Sequence, residues 1–193
     1  MQRRAELLDA AIDLIGTQGL DALTHRAVAA GAGLPPASTS YYFRSKDELV
    51  DEALRRATEL EIGRLRELRD ALGEAAGDPD ALVDAVAAWI EEQLHGAGRA
   101  ACFAQYHLQL EAARRPELRD ALVARAAATR ALAEEVLERL GAPDPGQAAL
   151  LLVCAVDGVR LEALASGHDA HLRGPELRAL LARLLRSLLR DQA

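Results

Sequence analysis

The sequence predicts an all-α protein, and three features carry the prediction. Its hydrophobic half is built mainly from Ala, Leu and Val, and Ala and Leu are strong helix formers. Apolar residues recur at i, i+3, i+4 and i+7, as in Leu8, Ala11, Ile12 and Ile15, which is the spacing of one helical face. Aromatics, which strands favour, make up only 3% of 193 residues. They fall in two places: Tyr41, Tyr42 and Phe43 are consecutive, and Trp89, Phe103 and Tyr106 lie mid-chain.

About nine helices follow in order. The first runs from near Arg4 to Thr17, with Glu6, Asp9 and Asp13 opposite its apolar face; Gly16 and Gly19 end it. Thr24 caps a short second helix that closes at Gly31. After a turn at Gly33-Leu34, Pro35-Pro36 suits the first turn of a third helix over 37–43, because the first helical N–H groups have no partner to lose. Ser45, with Glu48 three residues on, reads as a capping box opening a long fourth helix to about Leu72.

Gly77-Asp78-Pro79 provides a turn and a new start, and the fifth helix spans about 80–95. Gly96 and Gly98 separate it from a sixth at about 99–114. Pro116 starts a seventh that ends at Gly141, before the turn Ala142-Pro143-Asp144-Pro145-Gly146. The eighth, about 147–165, is apolar on all sides through Val156 and so needs partners on two sides. The ninth, 175–190, carries Leu177, Leu180, Leu181, Leu184, Leu185 and Leu188 on one side and Arg183, Arg186 and Arg190 on the other. Placed together, the last two helices read as a subunit interface through Leu152, Val156, Val159, Leu177, Leu181, Leu184 and Leu188.

Composition excludes several classes. The longest wholly apolar run, Ala148 to Val156, has nine residues, where a membrane-spanning helix needs roughly 20. Glu6, Asp9 and Asp13 break up any signal-peptide pattern behind Arg3 and Arg4. Cys102 and Cys154 lie apart in apolar surroundings, which suits reduced core thiols of a cytoplasmic protein. Net charge is −7, which argues against a polyanionic partner until its distribution is read. Residues 22–46 hold no Asp or Glu but do hold His25, Arg26, Arg44 and Lys46. A local basic patch within an acidic protein can approach DNA phosphates while the bulk repels other polyanions.

Residues 24–43 have a helix-turn-helix layout: inward Ala27, Val28 and Ala30, a glycine turn, then small hydroxyl residues able to enter a major groove. The strings Thr24-His25-Arg26-Ala27-Val28-Ala29, Ala32-Gly33-Leu34 and Ser40-Tyr41-Tyr42-Phe43-Arg44-Ser45-Lys46-Asp47-Glu48-Leu49 resemble the DNA-binding head of the TetR family, the tetracycline-repressor-like regulators. The likeness in sequence covers about residues 4–52.

The resemblance implies a three-helix head over residues 1–45, joined by the long fourth helix to an effector-binding and dimerisation bundle over 46–193. It implies that residues 35–42 form the recognition helix, with Pro36, Ala37, Ser38, Ser40 and Tyr41 toward the groove and Arg26 within reach of a base edge. Thr24, Tyr42 and Lys46 match the family's phosphate-contacting positions, and Phe43 is expected to be buried against the first helix. Thr39 and Ser40 depart from the family pattern, which more often has Leu and Tyr there. A small-molecule effector is expected among the C-terminal helices, with Trp89, Phe103, Tyr106, His107, Leu110 and Asp157 as candidate contacts and Arg160 as an alternative to Asp157.

The partners expected on this reading are an inverted-repeat double-stranded DNA operator, a second copy of the chain and an unidentified effector, with no membrane and no cofactor. Enzymatic function is not expected. Glu92 and His95 form half of a di-iron helix motif with no second pair, and His168, Asp169 and His171 lack a fourth ligand, so no metal site is expected. The alternative reading is a helical dimeric small-molecule-binding protein whose head no longer binds DNA.

Overall fold

The computed structural model describes residues 2–73, 77–166 and 174–190. Among them are nine α-helices: α1 (Gln2–Gln18), α2 (His25–Gly31), α3 (Ala37–Tyr42), α4 (Lys46–Leu72), α5 (Pro79–Leu94), α6 (Gly96–Ala112), α7 (Arg119–Arg139), α8 (Pro145–Ser166) and α9 (Gly174–Leu188). Two 3-10 turns, Leu20–Ala22 and Pro116–Leu118, complete the order. The second of these occupies the expected start of the seventh helix, so Pro116 leads into α7 instead of opening it.

Helix boundaries follow from local hydrogen-bond chemistry. The Thr24 hydroxyl accepts from the Ala27 N–H at 3.1 Å and starts α2. α2 closes at Gly31, as expected, and the left-handed residue just beyond it is Gly33 (φ 65°). Its N–H donates to the Ala30 carbonyl and the Leu34 N–H to the Ala29 carbonyl, the paired bonds that close a helix through a left-handed residue. At α4 the Ser45 hydroxyl caps the Glu48 N–H, and the Glu48 carboxylate takes the N–H of Arg44 in return. Asp78 and Asp144 each cap a helix whose next residue is proline, and they start α5 and α8 by one device.

The chain forms two compact units: residues 1–61 with 95–125, and residues 62–94 with 126–193. The first unit has one core. Leu7, Leu8, Ala11, Ile12 and Ile15 of α1 join Leu23, Val28, Phe43, Leu49, Val50, Ala53 and Leu54. Ala104, Leu108 and Ala112 of α6 and Leu118 belong to the same cluster. The three head helices therefore do not close their own core; α6 is the layer α1 packs on.

The α1–α6 crossing is close. A methyl group on Gly16 would lie 1.9 Å from the Ala100 carbonyl oxygen, so only glycine fits. Ion pairs reinforce the unit. Arg4 meets Glu52, and Arg56 meets Asp9 at 2.9 Å. Arg115 joins Asp51, Asp47 and Glu111 at 2.9–3.1 Å. Burial opposes the Arg115 charge, but its bonds to Asp47 and Glu111 and the charge of Asp51 outweigh that and raise its pKa above the ordinary arginine value.

In the second unit α5 packs on α9 and α8. Leu177, Leu181 and Leu185 of α9 are buried, as are Leu82, Val83, Ala87 and Ile90 of α5. Polar contacts fix the α5–α9 pairing. Arg178 reaches Asp84 at 2.9 Å and Glu91 at 3.5 Å, and Glu91 accepts the first N–H of α9 at 2.7 Å. No helix among the described residues is long and apolar enough to cross a membrane.

Candidate nucleic-acid interface and ligand cluster

The second helix of the head presents two faces. Thr39 is fully enclosed and Phe43, just past the end of α3, is 1% exposed, so the chain is anchored inward at both points. Phe43 lies in the core with α1, as expected, and the Arg4 guanidinium stands 5.4 Å from its ring centroid. Pro36, Ala37 and Ser40 face solvent, Ser38 is half-buried, and Tyr41 is 83% exposed. Tyr42, also half-buried, meets Tyr41 edge to face at 5.0 Å and Phe43 at 6.4 Å, which restrains its ring. Arg26, Arg44 and Lys46 are all exposed. The Thr24 hydroxyl uses a lone pair on its cap and keeps its hydrogen to donate.

In the second unit, α5 and α8 assemble a polar cluster. Arg160, only 1% exposed, donates to Asp157 at 3.2 Å through Nη1 and to the side-chain amide oxygen of Gln93 (Oε1) through Nη2. Its guanidinium lies over the Trp89 ring, 4.9 Å from the centroid. Such a stack, when desolvated, is worth about 2 kcal/mol and helps offset the burial of the charge. Residues 150, 151, 154, 158 and 161 of α8 form an exposed strip at helical spacing; Leu150, Leu151 and Leu161 are 45–52% exposed. Leu180 on α9 is 42% exposed.

Residues 7–53, which hold the whole of this recognition face, match the family described as bacterial regulatory proteins, tetR family. Residues 77–190 match the tetracyclin repressor-like C-terminal domain. The chain belongs to the TetR family.

The relatives extend this at two levels. A 69-residue stretch is 41% identical to the HTH-type transcriptional repressor KstR2 of Mycobacterium tuberculosis, covering 36% of this chain and 34% of that protein. The chain thus matches about a third of the length of that curated relative. Whole-chain likeness comes from solved structures. The multidrug binding protein EbrR complexed with ethidium is 33% identical with a TM-score of 0.68, over 97% of this chain and 98% of that one. The TetR-family protein SCO1917 from Streptomyces coelicolor A3 is 30% identical with a TM-score of 0.69, over 99% and 100%. The family is one of regulators, not of catalysts. No group of three or more potential ligands for a metal lies among the described residues; His168, Asp169 and His171 fall outside them.

Within this TetR-family frame the structure sorts the remaining expected residues. Trp89 and Asp157 meet the same guanidinium, that of Arg160. Gln93 completes the group; sequence reasoning missed it, although it stands one turn after Trp89 on α5. Phe103 belongs to the first unit, beneath the Arg99 guanidinium at 5.1 Å, and Tyr106 is half-buried there. His107 and Leu110 are both exposed, Leu110 at 70%. The face of α6 that α1 covers is Ala104, Leu108 and Ala112, and helical spacing turns 107 and 110 away from it.

The residues expected at the subunit interface differ in exposure. Leu177 and Leu181 are enclosed by their own chain. Leu152, Val156, Val159, Leu184 and Leu188 are partly exposed. The sequence placed Leu180 on the α9 stripe but missed Leu150, Leu151 and Leu161 as members of the open apolar surface.

Proposed function

We propose that this chain is a ligand-responsive transcriptional regulator. It acts in the cytoplasm as a homodimer, represses by binding an inverted-repeat operator, and is released by a small-molecule effector. The observation that carries this is the division of α3, with Thr39 and Phe43 held inside while Ser40 and Tyr41 stand in solvent. A helix anchored this way offers side chains to a groove without disturbing its own core.

Pro36, Ala37, Ser38, Ser40 and Tyr41 are the groove-facing set, with Arg26 beside them. Thr24, Tyr42 and Lys46 take phosphates, which fixes the docking angle without reading sequence. The homodimer forms through the exposed strip of α8 and α9, with Leu150, Leu151, Leu161 and Leu180 flanked by Leu152, Val156, Val159, Leu184 and Leu188. The effector is received at the Trp89–Asp157 cluster, and binding favours a conformation in which two heads no longer match successive major grooves about 34 Å apart. Likeness to KstR2, a transcriptional repressor, and to EbrR, a multidrug binding protein solved with ethidium, supports the two halves of this reading.

Selection of bound fragments from random duplex DNA tests it. An inverted repeat is expected, and retention should fall steeply with salt. Lys46→Ala should weaken binding to all sequences alike and reduce the logarithmic salt slope by about one unit. A change of preferred sequence in that variant would contradict the phosphate role. A dimer with no affinity for any duplex would instead favour a binding protein that has lost its DNA contacts.

A further inference from the structure

The cluster around Arg160 has an imbalance of hydrogen-bonding groups. Trp89 Nε1 and Gln93 Nε2 are sealed from solvent and find no hydrogen-bond partner among the described residues. Gln93 as a whole is 3% exposed. Both groups are donors, they stand one turn apart on α5, and they flank a buried guanidinium. The acceptors nearby are engaged: the Gln93 carbonyl oxygen and an Asp157 oxygen both serve Arg160. An unsatisfied buried donor costs about 1–3 kcal/mol, so two of them beside one cation mark a place that lacks an acceptor.

We propose that the polar end of the effector is the carboxylate of an organic acid. It accepts from Trp89 Nε1 and Gln93 Nε2 and gains the attraction of the Arg160 charge. This rests on the reading that the C-terminal helices receive a small molecule, and it adds the chemical class. A cation is disfavoured here, because it brings no acceptor for the two donors. An alcohol satisfies one donor but gains little from the guanidinium.

Trp89 is the chain's single tryptophan, so its emission reports on this site alone. The full chain is titrated with straight-chain monocarboxylates from acetate to decanoate, and with alkylammonium ions and alcohols of matched length, at constant ionic strength. The emission should change saturably with carboxylates at about tenfold lower concentration than with either matched series. Gln93→Glu, nearly equal in shape, replaces the donor with a carboxylate beside Arg160. It should weaken the carboxylate response at least about tenfold while leaving the melting temperature unchanged or higher.

Equal or better response to alkylammonium ions or alcohols overturns the proposal. So does no response to any carboxylate, or an unchanged response in Gln93→Glu. Retention of the same protein on duplex DNA is measured in parallel. DNA binding without a carboxylate response sinks this inference alone, and loss of DNA binding sinks the regulator reading instead.

Discussion

Thr39 shows what single residues decide in the head. This chain places a threonine with no exposed surface at this position, and its hydroxyl finds no hydrogen-bond partner among the described residues. Thr39→Val keeps the shape and removes the stranded hydroxyl. It should stabilise the chain by about 1 kcal/mol, read as a higher midpoint in urea, with DNA retention unchanged. A lower midpoint would mean that the hydroxyl is satisfied after all. The motif string made most of this face legible, because exposed Tyr41 and buried Phe43 follow from their places in it. Gln93 was not legible. A glutamine on a helix reads as a solvated residue until the partner helix brings a guanidinium to it.

Among the helices, the caps at Thr24 and Ser45 were readable from local signals. Asp78 and Asp144 read only as turn residues, and the structure shows that they cap as well. Packing faces were less readable. α8 is apolar nearly all round, so its sequence has no periodicity to choose a face, and Leu150, Leu151 and Leu161 were invisible as its open strip. The leucine stripe of α9 is wide enough to serve two surfaces, and its buried edge of Leu177, Leu181 and Leu185 goes to α5.

The α1–α6 crossing was hidden for another reason. Gly16 looks like a helix terminator in sequence, yet it sits within α1 and permits backbone contact with Ala100. Gly16→Ala meets a carbonyl oxygen rather than a flexible side chain. It should destabilise the chain by roughly 1–3 kcal/mol in chemical denaturation. A neutral effect would show that α1 and α6 are free to separate.

For the whole molecule, counting helices from the sequence anticipated the all-α architecture. The pairing of α6, far along the chain, with α1 was not anticipated, and it completes the core beneath α1. Non-local pairing of this kind leaves no trace in local spacing. The open surface of α8 and α9 is the counterpart expectation for the assembled state. Leu151→Glu puts a charge in the middle of that strip and should turn the dimer into a folded monomer with unchanged helical content by circular dichroism. A persistent dimer would place the interface elsewhere.

The most direct measurement is the mass, in solution, of the complex formed with a duplex recovered from random DNA. Two chains on one inverted repeat, held at low salt and lost steeply as salt rises, is the predicted result. A single chain on the duplex, or no complex even at low salt, would contradict the account.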